Sequence, residues 1–300
     1  MPGVLLDANV YRSLPEARFA PLLEAELHKG VARFCDPFVT AELLAHAADP
    51  ADPQHRPCRV AIRRAQRRCR SDAGGTCGML QDSESRLVLL VTGRPIARHD
   101  EYTQRRILPL MEAVATIPLD QPLTVAEPEL REVARNIAER KEEFAQSAVR
   151  LQETIAEIVK DEEPETRRET LKNSRRTHGS EANRRLTAER MIRGAFENSG
   201  LRPPDPIPEE LFKRVWSRIA TAVEFECQIW DKVAFDGALA TSRAIRTLRW
   251  DQRIAHYIGD VVHGHPLWFI TEDADFARAA AAAGMGERVK SLDAYEGWLQ

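Results

Sequence analysis

Short, uniformly apolar runs stand near both ends of the chain, and long amphipathic stretches fill its middle. Val4-Leu5-Leu6 has the pattern of a strand buried on both faces, and Pro266-Leu267-Trp268-Phe269-Ile270 repeats it late in the chain. Each run gives way at once to polar residues. Asp7-Ala8-Asn9 follows the first, and Thr271-Glu272-Asp273-Ala274-Asp275-Phe276 follows the second, ahead of an alanine-rich helical stretch. Pro21 to Leu27 predicts a helix closed by Gly30, and Val31-Ala32-Arg33-Phe34 predicts a further strand. Asp36-Pro37 has the form of a helix start, so a helix is expected from Phe38 to about Ala48, carrying Glu42. Asp49-Pro50 and Asp52-Pro53 stop it.

The middle of the chain follows a different period. Ser71 to Gly78 is expected to be a loop, Arg86–Val91 and Ile107–Val114 helices, and Ala115–Leu119 a short strand. From Glu127 to Lys160, Leu130, Ile137, Phe144, Leu151 and Ile158 recur at heptad spacing, with Val133 and Ile155 widening the stripe. That spacing predicts a long helix with one apolar seam. Asp161 to Asn183 is charged and poor in apolar residues, which predicts a mobile loop. A short helix is expected at Leu186–Phe196, and the proline-rich stretch Leu201–Pro208 breaks it. A second long helix is expected from about Glu209 towards Thr241, with Phe212, Val215, Trp216, Ile219, Val223, Trp230 and Val233 on its apolar side. The expected organisation is an α/β core made of residues 1–120 and 248–300, interrupted at 121–247 by an antiparallel helical hairpin with a mobile tip at about 161–183.

Composition narrows the function classes. With 300 residues and 43% hydrophobic content, one sizeable core plus an insertion is expected. A net charge of -3 excludes a uniformly basic nucleic-acid binder, so any such site must be a local patch. The five cysteines (Cys35, Cys58, Cys69, Cys77 and Cys227) are odd in number and irregular in spacing, which makes a poor disulfide framework. His55, Cys58, Cys69 and Cys77 also miss the usual zinc-ligand spacings, so scattered thiols are expected. No basic leader precedes the first strand, and no apolar run reaches the roughly 20 residues that span a bilayer. The expectation is a soluble cytoplasmic protein with no membrane partner.

Arg56, Arg59, Arg63, Arg64, Arg67, Arg68 and Arg70 fall within fifteen positions that hold no acid. Arg63, Arg64, Arg67 and Arg68 are candidates for tracking phosphates; a solvated helix face or a contact with a protein partner is the plainer reading. There is no Gly-x-Ser-x-Gly elbow and no phosphate-binding glycine loop. A phosphatase with an aspartyl nucleophile would place a second acid two residues after Asp7, where this chain has Asn9.

Four acids remain as candidate chemistry. Asp7 and Asp273 follow apolar strands, where open α/β sheets place their sites. Glu42 lies on an early helix, and Asp251 is expected to open a late one. Carboxylates are hard ligands suited to Mg²⁺ or Mn²⁺, and several together repel one another without a cation. Asn9 and Thr271 would position acids or water by hydrogen bonding, and Asp275 would support the ligands or cap a helix.

These motifs resemble those of the PIN-domain nucleases. Leu5-Leu6-Asp7-Ala8-Asn9-Val10 is similar to that family's opening motif, and Val39-Thr40-Ala41-Glu42-Leu43-Leu44 to its first acidic helix. Trp250-Asp251-Gln252-Arg253-Ile254-Ala255 resembles the third acidic site, and Phe269-Ile270-Thr271-Glu272-Asp273-Ala274-Asp275-Phe276 the closing motif. The resemblance implies a PIN-like central parallel sheet flanked by helices. It also implies metal-dependent hydrolysis of RNA, less often of single-stranded DNA, with water as nucleophile. Asp7, Glu42, Asp251 and Asp273 would be the Mg²⁺ or Mn²⁺ ligands, with Asp273 chosen over Glu272 and Asp275 by alignment with Thr271. Many small members are toxins held by an antitoxin, so an antitoxin, another protein partner or a homodimer is also implied. Compact members lack an insertion like 121–247. The alternative is a binding or regulatory module on the same fold, without catalysis.

Overall fold

The computed structural model describes residues 1–70, 77–95, 103–124, 126–235 and 242–300. Strand β1 (Gly3–Leu6) lies between β2 (Ala32–Cys35) and β5 (His265–Ile270), parallel to both. Its position explains its composition, because a strand paired and covered on every side tolerates only apolar residues; all four are buried. Gly3 is required by close packing, since a Cβ there would stand 2.7 Å from the Phe34 ring and 2.9 Å from Leu267. Beyond β2 lies β3 (Cys77–Met79), and β6 (Val289–Lys290) pairs parallel with the end of β5. The short β4 (Val261–Val262) turns back antiparallel onto the start of β5 through His263-Gly264.

Helices flank this sheet. In chain order they are α1 (Ala8–Ser13), α2 (Glu16–Lys29), α3 (Pro37–Ala47), α4 (His55–Cys69), α5 (Ser83–Thr92) and α6 (Leu108–Thr116). The expected starts and stops operate: Gly30 closes α2 in the left-handed conformation, and the Asp36 carboxylate accepts the Phe38 N–H at 2.6 Å to cap α3. Next come α7 (Glu127–Ile158), α8 (Pro164–His178), α9 (Glu181–Asn198) and α10 (Glu209–Trp230). The chain ends with α11 (Arg243–Ala255), α12 (Ala274–Ala282) and α13 (Leu292–Leu299).

The two longest helices find their main neighbours outside a mutual hairpin. Helix α7 packs on α3 and α11, and α10 on α9, α11 and α12. Leu130, Val133 and Ile137 of α7 share one apolar core with Leu5, Phe269, and Phe225 of α10. A smaller core joins Val88 and Val91 to Ala188, Ile192, Val215 and Ile219 across α5, α9 and α10. Phe144, Leu151, Ile155 and Ile158 of the expected seam lie outside the residues whose side chains are described.

Several elements differ from expectation. The charged stretch 161–183 holds α8 and the start of α9, because glutamate, arginine and lysine are good helix formers whether or not an apolar face accompanies them. Ala115–Leu119 is no strand. Helix α6 runs on to Thr116, and the carbonyls of Ile117, Pro118 and Leu119 accept hydrogen bonds from Arg63 and Arg59 in place of a sheet ladder. Cys77 and Gly78, expected to end a loop, belong to strand β3; residues 71–76 of that loop lie outside the described set. Helix α10 stops at Trp230 and continues as a π turn to Phe235, and residues 236–241 are not described. All five cysteines are buried, and none is joined in a disulfide. Among the described residues, no helix is long and apolar enough to cross a membrane.

Candidate active site at the carboxyl edge of the sheet

The site begins where β1 and β5 end side by side. Asp7 follows Leu6 and caps α1, its Oδ1 accepting the Ala8 N–H at 2.6 Å. Its Oδ2 accepts the Thr271 hydroxyl at 2.7 Å and the Asn9 side-chain amide at 3.4 Å. The Asp7 N–H donates to the Ile270 carbonyl at 2.9 Å, which locks the two strand ends together. Thr271 then turns its oxygen to the Asp273 N–H at 3.0 Å, and Asp273 caps α12 by accepting the Asp275 N–H at 2.7 Å. Thr271 and Asn9 therefore both hydrogen-bond the Asp7 carboxylate. The three acids of the closing motif take different roles: Glu272 accepts the Leu292 N–H at 2.8 Å and Asp275 pairs with Arg278. Asp273 and Glu272 line the cleft described next.

The other two acids come from helix interiors. Glu42 lies midway along α3, with its carboxylate 3.5 Å from Lys141 Nζ of α7. Asp251 does not open its helix. Ser242 caps α11, and Asp251 lies well inside it, 9% exposed. The neighbouring face of α11 is anchored by ion pairs from Arg249 to Glu226 and from Arg253 to Glu84. Gln252 adds hydrogen bonds to the Ala222 carbonyl at 3.1 Å and to Glu226 at 2.9 Å.

Asp7, Glu42, Asp251 and Asp273 all line one cleft of about 1360 Å³. Burial raises the Asp7 carboxyl to about 6; the Thr271 and Ala8 hydrogen bonds oppose the rise, and the charges of Glu42 and Asp273 add to it. Burial also holds Asp251 well above the usual carboxylate range, reinforced by Asp7, Asp273, Glu42 and Asp275. Asp36, which follows β2, is pushed to about 7 by burial, with the charges of Asp7 and Asp82 adding to the rise.

In kind, this donor set suits a hard divalent cation: carboxylate oxygens, partly desolvated, whose nearest charged neighbours include one another. In position it is more open. Among the described residues no three His, Cys, Asp or Glu side chains stand close enough to hold one ion, and Lys141 engages Glu42. Gathering the carboxylates onto an ion calls for side-chain rotation within the cleft.

The arginine run is elsewhere. Arg68 is fully buried and pairs with Glu26 at 2.8 Å, and Arg64 donates to the Tyr11 carbonyl at 2.9 Å. Arg63 donates to the Ile117 carbonyl, and Arg67 pairs with Glu16 at 2.6 Å. None of Arg63, Arg64, Arg67 or Arg68 lines the cleft. Arg64 and Arg68 are buried and so withdrawn from any nucleic-acid surface, whereas Arg63 and Arg67 reach the surface but are engaged by the Ile117 carbonyl and Glu16 away from the cleft.

The cations that do line the cleft are Arg12, Lys141, Arg243 and Arg246. Sequence reasoning missed them, although a signal exists. Asn9, Arg12 and Ser13 share one helical face, Glu42 and His46 another, and Arg243, Arg246, Thr247 and Trp250 a third. No family model matches the chain, and no curated protein or solved structure matches it either.

Proposed function

We propose that this protein is a PIN-like, metal-dependent nuclease that hydrolyses phosphodiester bonds of single-stranded RNA. The observation that carries this reading is the meeting of Asp7, Glu42, Asp251 and Asp273, from four separate segments, in one cleft with a cationic rim. Those four acids are the groups that would hold Mg²⁺ or Mn²⁺. When bound, such an ion neutralises phosphate charge and makes water a stronger nucleophile near neutral pH. Arg12, Arg243 and Arg246 draw the polyanion to an otherwise acidic cleft. Thr271 and Asn9 hold Asp7 in a fixed orientation, and the Ala8 N–H keeps its Oδ1 in place.

Labelled single-stranded RNA incubated with Mn²⁺, Mg²⁺ or EDTA tests the reading. Cleavage is expected only with metal, and Asp7→Asn or Asp273→Asn is expected to reduce it by more than about 100-fold, beyond the loss typical of a supporting residue. Activity that survives both substitutions would sink the proposal. A second reading, a binding module on the same fold without catalysis, is favoured by one observation, the engagement of Glu42 by Lys141. RNA binding without cleavage in any metal is the result that selects it.

A further inference from the structure

Lys141 is unexplained by a site built of acids. It reaches from α7 to within 3.5 Å of Glu42, and its ammonium lies 5.0 Å from the centre of the Trp250 ring. Trp250 is buried and packs edge-on against Phe38 at 5.3 Å, so the lysine rests on a rigid aromatic shelf. The side chains of Lys141 and Glu42 are 31% and 21% exposed, which leaves the pair open to the cleft. Arg243 and Arg246 stand on the same wall, about two turns and one turn before Trp250 on α11. Arg246 is tied to Glu142, the residue after Lys141, at 3.3 Å.

The Glu42 carboxylate thus has two possible cationic partners, the lysine and a divalent ion, and their attractions compete. A half-exposed ion pair of this kind is weak and opens readily. A phosphate entering past Arg243 and Arg246 offers the ammonium an anionic partner at no loss of charge pairing. Lysine suits such an exchange, because its ammonium is a compact charge on a flexible stem with no fixed fork geometry to preserve.

We propose that Lys141 is a phosphate-binding residue that exchanges Glu42 for a backbone phosphate of single-stranded RNA, so that RNA and divalent cation bind cooperatively. The inference rests on the nuclease reading for the identity of both ligands, and goes beyond it in assigning the coupling to one side chain.

Calorimetric titration with Ca²⁺, a hard ion that takes carboxylate oxygens, tests this with and without a saturating short single-stranded RNA. In the unaltered protein RNA is expected to tighten Ca²⁺ binding about 5- to 10-fold, and Ca²⁺ to tighten RNA binding by the same factor. In Lys141→Met, RNA-free protein is expected to bind Ca²⁺ more tightly, RNA to bind more weakly, and the coupling to vanish. Lys141→Arg, which keeps the charge, is expected to retain RNA affinity, and circular dichroism checks that both variants are folded. Coupling that persists in Lys141→Met, or ion binding indifferent to RNA in the unaltered protein, overturns the proposal alone. No Ca²⁺ binding by the unaltered protein overturns the nuclease reading along with it.

Discussion

Two clusters of like charge dominate this molecule, and they have been treated in opposite ways. Five arginines of α4 are engaged within the fold: Arg68 pairs with Glu26, Arg64 and Arg67 with Glu16, and Arg59 and Arg63 donate to backbone carbonyls. The acids of the cleft are settled less fully, for Glu42 alone of the four has a cation beside it, Lys141, among the described residues. Asp251 is buried, and the charges felt most strongly there are Asp7, Asp273 and Glu42. A charge cluster whose members find partners inside the fold supports the fold. One whose members mainly face one another keeps its charge for something from outside.

The sharpest way to break this contrast is Arg68→Met. It leaves Glu26 fully buried without its guanidinium, although the Tyr295 hydroxyl still donates to it at 2.7 Å. The expected loss is about 3–5 kcal/mol, read from the urea midpoint. A loss below about 1 kcal/mol would mean that the arginine is dispensable to the core.

Asp7→Asn probes the other side and should act in the opposite direction. The folded carboxyl titrates at about 6, above the ordinary 3.8, so between these values the native state binds more protons than the unfolded one. Stability contributed by this group is therefore present at low pH and is lost as pH rises towards 6. The ionised group then costs roughly 2–3 kcal/mol, and the asparagine variant should be more stable by that order at pH 8. The gain should disappear below about pH 4. Thermal melts across that range decide the matter, and a variant less stable at pH 8 would contradict it.

The smallest effect sharpens the contrast at the surface. Arg67→Ala is expected to cost less than about 1 kcal/mol, because its pair with Glu16 is exposed. RNA affinity should hardly change. Arg243→Ala, by contrast, is expected to weaken RNA binding and to lower the salt-dependence slope by about one phosphate contact. Fluorescence anisotropy at several salt concentrations separates the two. Equal losses would return α4 to the nucleic-acid surface.

The same contrast explains what could be read from the chain. Asp7 and Asp273 were readable because uniformly apolar strands precede them, and a polar residue at such an edge has few places to go. Glu42 could be placed through the Asp36-Pro37 helix start. Asp251 was assigned to the right helix but the wrong position, since Ser242 as its cap lay where a preceding helix was expected to fade. The arginines misled because composition counts charges and omits the carbonyls that satisfy them, here from Ile117, Pro118 and Leu119. Lys141 was hidden for a related reason. Within α7 it is one charged residue among many, and only the packing of α7 on α3 brings it to Glu42.

The join between Asp7 and Thr271 spans 264 positions of sequence, and it has a consequence for how the protein is made. Synthesis proceeds from Asp7 onward, so the first acid waits while the 264 positions to Thr271 are built before β5 arrives beside β1. Contacts so distant in sequence also close late in folding. A nascent chain on the ribosome, surrounded by RNA, carries Asp7 and Glu42 but cannot yet bring Asp273 to them. The order of translation itself keeps the cleft unassembled until β5 is in place.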